Sequence, residues 1–394
     1  METKQILEGF KLTFSKENDS LYFSPGRINL IGEHTDYNGG HVFPSAIGLG
    51  TYGAFAKRED NIVKLFSNNL PDAGVISFDV DNLSFDKKYG WSNYLRGMIL
   101  EIGKLTDKKF SGFDLYLEGD LPDGAGLSSS ASIEMLMGTI LNEEYSLNID
   151  PLEIVKAGKR VENNYIGVNT GIMDQFAVEM GRKDQAIFLD TNTMEYEYSP
   201  IDLGDYRILI MNTNKPHELA SSKYNERRSE CEEALVRLQT KLDIKSLGEL
   251  DVNKFDQYTS LINDRILISR ARHAVFENQR TIQAKKALDN KQLELFGRLV
   301  NASHISLQYD YEVSADELDF LVDSAWKFDG VLGARMIGGG FGGCAIAIVQ
   351  KDQIDGLIKQ IGPKYKEQFG YAADFYETQI VDGPHKYNGE SNEN

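Results

Sequence analysis

Residues 121 to 132, Leu-Pro-Asp-Gly-Ala-Gly-Leu-Ser-Ser-Ser-Ala-Ser, join two glycines to a run of serines. Gly124 and Gly126 let the backbone turn tightly and approach a ligand with no Cβ in the way. The serines leave amide N–H groups and hydroxyls at the opening of a helix, where unpaired donors and the positive end of the dipole suit a phosphate. Serine is also a favoured helix cap and glycine a favoured turn residue, so an ordinary capped turn is the competing reading. The stretch lacks the Gly-Lys-Ser/Thr of a Walker loop, and Ser129 stands where a dinucleotide motif needs its third glycine.

A second polar cluster lies near the N-terminus. Glu33, His34 and Asp36 crowd one turn beside Gly32, with Arg27 six residues before Glu33. Two carboxylates and one imidazole without a further Cys or His make weak metal spacing. Carboxylates accept hydrogen bonds from hydroxyls, so recognition of a polyol is favoured over a solvated turn with a surface ion pair. Asp174 opens a short helix, where the dipole suits a carboxylate. It can orient a hydroxyl and accept its proton as a bond forms to phosphorus, or it can simply cap the helix. Glu162, about three helical turns earlier, can be a magnesium ligand, but taken alone it reads rather as a solvated face residue. The glycine run 338 to 343 marks a backbone passing close to a ligand or another loop, or a tight turn. His304, Arg227, Arg228 and Cys344 read as structural: a polar-network histidine, two helix-face ion pairs and a small core residue.

The elements that must carry these residues follow from periodicity. Phe113, Leu115 and Leu117 alternate with polar residues as on a half-buried strand, and Ile133, Leu136, Met137, Ile140 and Leu141 recur at helical spacing. The context of the first stretch is therefore strand, glycine turn, helix. A helix is expected over residues 3 to 15, strands around 42 to 57, 62 to 68 and 75 to 80, and a helix from 91 to 105. Pro151 starts a further helix at its first turn, running to 165. Residues 190 to 203 are polar and turn-rich, which places a division there: a first half of 1–195 and a second of 196–394. The second half has a strand at 206 to 213, long helices over 220 to 300 and at 315 to 327, an apolar strand 344 to 349, a helix at 352 to 368 and a strand near 373 to 381. The tail from Gly383 is polar and is expected to be disordered.

The 394 residues, 41% hydrophobic and 26% charged, are those of an ordinary globular protein. A net charge of -18 argues against nonspecific binding to nucleic acid or to an anionic membrane. It also repels a phosphate ligand, so a phosphate site needs local amides, a metal ion and a placed cation. Two cysteines give no disulfide framework and no zinc spacing, which fits a reducing compartment. No apolar run has the length of a signal peptide or a membrane span, so the cytoplasm is expected.

Three separated stretches agree with a known family. Arg27-Ile28-Asn29-Leu30-Ile31-Gly32-Glu33-His34-Thr35-Asp36-Tyr37-Asn38-Gly39-Gly40 resembles the galactokinase signature. Pro122 through Ser132 resembles the phosphate loop of the wider GHMP kinases, and Gly338 to Gly343 is similar to their glycine-rich third motif. Gly171-Ile172-Met173-Asp174-Gln175, Ser221-Ser222-Lys223-Tyr224 with Arg227-Arg228, and Asn301 through Ser314 agree as well. The matches run from about residue 23 to 380, and the first is the most specific.

The resemblance implies two α+β domains with the active site in the cleft between them. The implied activity is transfer of the γ-phosphoryl group of ATP to the anomeric hydroxyl of D-galactose, which gives galactose 1-phosphate and ADP and begins galactose catabolism by the Leloir pathway. By motif, Glu33, His34, Asp36, Gly171 and Tyr224 contact the sugar, and Asp174 faces it as the base. Arg27 stabilises the transferred phosphoryl group and helps keep Asp174 ionised. Gly124, Ala125, Gly126, Leu127, Ser128, Ser129 and Ser130 wrap the phosphates of MgATP. Ser130 and Glu162 hold Mg2+, and Ser67 and Trp91 border the adenine. No protein, nucleic-acid or membrane partner is implied. Asp123, an acid close to the phosphate loop, departs from the family pattern and is expected to face solvent. Two rival readings keep the fold: a non-catalytic galactose sensor, and a kinase for a related sugar such as N-acetylgalactosamine. The intact Ser128 to Ser132 run, with Asp174 and Arg27 present, favours the enzyme.

Overall fold

The computed structural model of the chain describes residues 3–122, 124–215 and 220–388. Asp123 and the side chain of Ser221 lie outside what is described. Helices and sheets are mixed throughout, as expected. A six-stranded sheet carries, in spatial order, His385–Lys386, Ser20–Asn29, Pro44–Lys57, Phe113–Gly119, Ile62–Ser67 and Ile76–Asp79. Its pairs are antiparallel except for Ile62–Ser67 against Phe113–Gly119, whose connection includes the Asn93–Gly103 helix. A four-stranded antiparallel sheet orders Val331–Met336, Cys344–Gln350, Tyr206–Asn212 and Asp374–Thr378. Among the described residues no helix is long and apolar enough to cross a membrane.

Three expectations change in the folded chain. The Phe113–Gly119 strand is not half-buried, because the Thr3–Phe14 helix covers its second face. Tyr116 packs there with Ile6 and Phe10, and a Cβ on Gly9 would lie 2.3 Å from the Tyr116 hydroxyl. Second, the polar segment after Asp190 contains a strand, Tyr196–Pro200, which pairs with Gln185–Asp190. The division expected at residue 195 falls between the two arms of this hairpin. Third, the tail remains ordered past Gly383: His385 and Lys386 pair with Phe23 and Tyr22.

One apolar cluster belongs to both halves of the chain. Ile28, Leu30, Leu121 and Leu127 share it with Ile208, Phe296, Ile337 and Ile346. The polar turn after Arg27, the glycine–serine loop and the second glycine-rich loop all leave this shared core. Burial of its apolar surface holds the three loops together.

Candidate active site

The strand Ser20–Asn29 is buried along its whole length and delivers Arg27 into the interior, where it is 4% exposed. Arg27 donates from Nε and Nη2 to the two carboxylate oxygens of Asp174, at 2.9 and 3.0 Å. Such a two-pronged pair fixes orientation as well as charge. Its Nη1 donates to the Gly126 carbonyl at 2.5 Å, and its backbone N–H to the Leu127 carbonyl at 3.1 Å. The arginine therefore ties the proposed base to the glycine–serine loop.

That loop is built on left-handed backbone. Gly124, Gly126 and Ser128 have φ of 63°, 72° and 64°. The helix Ser129–Glu144 begins without a side-chain cap from Ser128, so the capped-turn reading does not hold. The serine hydroxyls reach across the cleft instead. Ser128 Oγ donates to Asp174 Oδ2 at 2.6 Å, and Ser130 Oγ to Glu162 Oε1 at 3.0 Å. Ala125 and Leu127 point their side chains into the shared core, so only their backbone is left for a ligand.

Glu162 owes its place to an irregularity in its helix. Asp150 caps Pro151–Arg160 by accepting from the Leu152 N–H, with Pro151 in the first turn. The helix then widens into a π-helical turn, Val161–Ile166, which ends at Gly167 with φ 88°. Such turns often occur at functional positions. Burial pushes the Glu162 carboxyl above its ordinary value, and the donors Thr170, Gln175 and Ser130 pull the other way. Behind it, the fully buried Glu134 accepts from Gln175 Nε2 at 3.0 Å. Burial, with Glu162 close by, raises Glu134 well above a normal carboxyl.

Seven of the residues singled out in the sequence line one cavity of about 110 Å³: Arg27, Glu33, His34, Asp36, Gly171, Asp174 and Tyr224. Thr170, Met173, Gly338 and Gly339 complete the wall. Asp36 is pushed up to about 6, first by burial and then by the neighbouring Asp174. Gly171 passes so close that a Cβ there would lie 1.6 Å from Asp36 Oδ2. His34 is lowered to about 3 by burial, and it keeps a left-handed φ of 59°. A second cavity, of about 230 Å³, joins Ser67, Trp91 and Tyr94 to Ser129 and Ser130. The glycine–serine loop stands between the two. A larger concavity of about 580 Å³ beside His41 and Phe188 holds none of the predicted site residues.

Sequence reasoning missed Arg335. It is fully buried and lies 3.1 Å from Glu33 Oε1, which also accepts from the Gly338 N–H at 2.8 Å. Asn29 Nδ2 donates to the other Glu33 oxygen at 3.1 Å. An arginine in the strand Val331–Met336 was the available signal, because a charge is rarely buried without a partner. The glycine run now has its reason: a Cβ on Gly338 would lie 3.0 Å from the Gly126 carbonyl, and one on Gly340 2.1 Å from that of Val313. Other loops, as well as a cavity, press on it. The residues read as structural do sit in such roles. His304 accepts from the Met336 N–H at 3.2 Å, Arg227 and Arg228 pair with Glu230 and Glu232, and Cys344 is buried.

The chain matches the family model of the galactokinase galactose-binding signature over residues 8–57. It matches those of the GHMP kinase N-terminal and C-terminal domains over 93–182 and 284–367. A galactokinase of Lactiplantibacillus plantarum is 61% identical, with 98% of this chain and 99% of the relative covered. One from Streptococcus suis is 55% identical, with 97% and 98% covered. The crystal structure of Lactococcus lactis galactokinase complexed with galactose superposes with a TM-score of 0.95 at 52% identity, covering 98% of this chain and 99% of that one. The mevalonate kinase of Methanococcus jannaschii shares the fold, with a TM-score of 0.65 at 20% identity and coverage of 92% and 98%.

Proposed function

The chain belongs to the galactokinase family of GHMP kinases, and from that premise we propose how it transfers the γ-phosphoryl group of ATP to the anomeric hydroxyl of D-galactose. The observation that carries the proposal is the Asp174 carboxylate, held by Arg27 and Ser128 between a small polar cavity and the glycine–serine loop. The sugar lies in the cavity of Glu33, His34, Asp36, Gly171 and Tyr224, with its anomeric hydroxyl toward Asp174. ATP lies across Gly124–Ser130, with its base between Ser67 and Trp91.

Asp174 orients the hydroxyl and accepts its proton as the oxygen–phosphorus bond forms and the bond to the ADP oxygen breaks. Arg27 faces the charge that spreads over the transferred group. Its fixed position means that little reorganisation is needed during the transfer. Ser130 and Glu162 offer a hydroxyl and a carboxylate side by side, a hard-oxygen pair that suits Mg2+, which takes one or two carboxylates and completes its shell with phosphate and water. Bound there, the ion would neutralise phosphate charge, which a chain of net charge -18 cannot do globally. Two free, buried cysteines suit a cytoplasmic enzyme. The division into halves near residue 195 leaves the sugar loop and phosphate loop in the first half, and Tyr224, Arg335 and the glycine run in the second.

The test is ADP release measured with a panel of aldoses. Turnover on galactose well above the rest is expected. Sugar binding with no turnover would favour a sensor, and faster turnover on N-acetylgalactosamine would overturn the substrate.

A further inference from the structure

His34 lines the sugar cavity, and its buried Nε2 closes no hydrogen bond of ordinary geometry within the protein, although the Gly339 backbone in the same wall lies near the ring and favours its protonated form. Its other nitrogen ends a chain of neutral groups. Nδ1 lies 2.7 Å from the Tyr37 hydroxyl, which lies 2.8 Å from that of Tyr311, which in turn lies 3.2 Å from Cys231 Sγ. Tyr311 and Cys231 are each no more than 1% exposed. The π-helical turn Leu307–Tyr311 sets the Tyr311 ring in place, and Arg227 Nε donates to the Tyr311 carbonyl at 2.7 Å. The imidazole is packed between Tyr311 and Tyr224, with ring centroids 4.9 and 5.4 Å away. Asn38 Nδ2 holds the His34 carbonyl at 2.8 Å, which fixes the left-handed backbone. A non-glycine residue kept in that region by its surroundings is often part of a functional site.

Such a chain can run in two directions. If His34 Nδ1 donated, both tyrosine hydroxyls would point away from it and the last would donate to sulfur, a weak acceptor. In the other direction the thiol donates to Tyr311, Tyr311 to Tyr37, and Tyr37 to the imidazole lone pair. The strongest acceptor of the series is then used, and the proton of His34 sits on Nε2. Burial keeps every member neutral: the two tyrosines and the thiol are pushed up and the imidazole down.

We propose that Cys231, Tyr311 and Tyr37 are positioning residues that fix His34 in its Nε2–H form, as a donor to an oxygen of the sugar. The inference rests on the reading of His34 as a sugar contact. Neither tyrosine nor the thiol touches the reacting atoms. Their effect is to decide that the cavity presents a donor at this point among its carboxylate acceptors, Asp36 and Asp174. The cavity would then recognise a sugar oxygen here by its lone pair, and not by its proton.

Two measurements test this. Long-range proton–nitrogen correlation spectra of the whole chain, without sugar, read the tautomer directly. Nε2–H is expected in the wild type, with a shift toward Nδ1–H in Tyr37→Phe, which keeps the ring and removes the donor. A wild-type His34 protonated on Nδ1, or a spectrum unchanged by Tyr37→Phe, overturns the proposal. In kinetics, Tyr37→Phe should raise KM for galactose roughly 3- to 10-fold, the range of one lost hydrogen bond, with kcat and KM for ATP little changed. An equal loss in all three would mark a merely structural role and overturn it. Should Tyr37→Phe fail to fold, Cys231→Ala carries the same two measurements, with a smaller shift in the same direction. Among deoxyfluoro and deoxy galactoses, the fluoro sugar at the contacted position should bind better, since fluorine can accept but cannot donate. Equal losses would overturn the donor assignment. Unchanged KM for galactose in His34→Ala would instead refute the sugar contact itself, independently of the tautomer measured without sugar.

Discussion

The two sides of the proposed active site, one for phosphate and one for sugar, are held in different ways. The phosphate side is one continuous piece, the Phe113–Gly119 strand, the loop and the Ser129–Glu144 helix, shaped by left-handed backbone at Gly124, Gly126 and Ser128. The sugar side is assembled from distant segments. Glu33 meets Arg335 and Gly338, His273 Nε2 lies 3.1 Å from the Glu33 carbonyl, and Glu277 accepts from the Gly32 N–H at 3.0 Å. A loop shaped by its own glycines can be read and altered locally. A loop held by buried charges from elsewhere is coupled to the stability of the whole chain. Arg27 and Asp174 lie where the two meet.

Asp174→Asn should have the largest effect, lowering kcat by about 10²- to 10⁴-fold, the usual range for general-base catalysis. KM for galactose should change far less than kcat, and the melting temperature should fall, because the buried Arg27 loses its counter-charge. A kcat that survives would remove Asp174 from the junction and from its role as base. Arg335→Met should act on the fold, because it leaves Glu33 buried without its partner, a loss of about 3–5 kcal/mol read as a fall in Tm. The double variant with Glu33→Gln should recover most of that stability. If the single variant melts like the wild type, the sugar side is not held by its buried charges and the contrast fails. Arg27→Ala should lower kcat by about 10²- to 10³-fold, more than it raises KM for galactose. An effect confined to KM would mean that Arg27 contributes only to ground-state binding.

The smallest effect is a pH dependence. Asp36 is raised to about 6 by burial, by Asp174 and by Glu33, and it is lowered by the Tyr37 N–H and Lys159. As pH falls through about 6 the carboxylate takes a proton and ceases to be an acceptor on both oxygens. Galactose kcat/KM should therefore fall on the acid side, with less change for KM of ATP. Asp36→Asn should lose that limb, and a wild-type profile flat through this range would contradict the assignment.

Much of the phosphate side was legible in the sequence, because a strand period, a glycine turn and a helix period are local signals. Even there, the protein partners of the serine hydroxyls were not legible, since Ser128 and Ser130 meet Asp174 and Glu162, 46 and 32 residues away. On the sugar side the turn from Gly32 to Asp36 was conspicuous for its charges, but Arg335, Tyr37 and Tyr311 carried no comparable signal. The π-helical turns that place Glu162 and Tyr311 follow an ordinary helical pattern in sequence. Alternation around Phe113 suggested an open face, because nothing in the strand itself shows that the Thr3–Phe14 helix covers it.

By itself, the sequence determined where the chain turns, which residue types are candidates for chemistry, and that the glycine–serine loop differs from lysine-bearing and dinucleotide loops. These depend on backbone freedom and side-chain type within a dozen residues. Tertiary structure alone decided which donor meets which acceptor. Arg27 and Asp174 are 147 residues apart, and Glu33 and Gly338 are 305 apart. Such pairs form only when a shared apolar core has brought their segments together, and a buried charge must then find whatever partner that core presents.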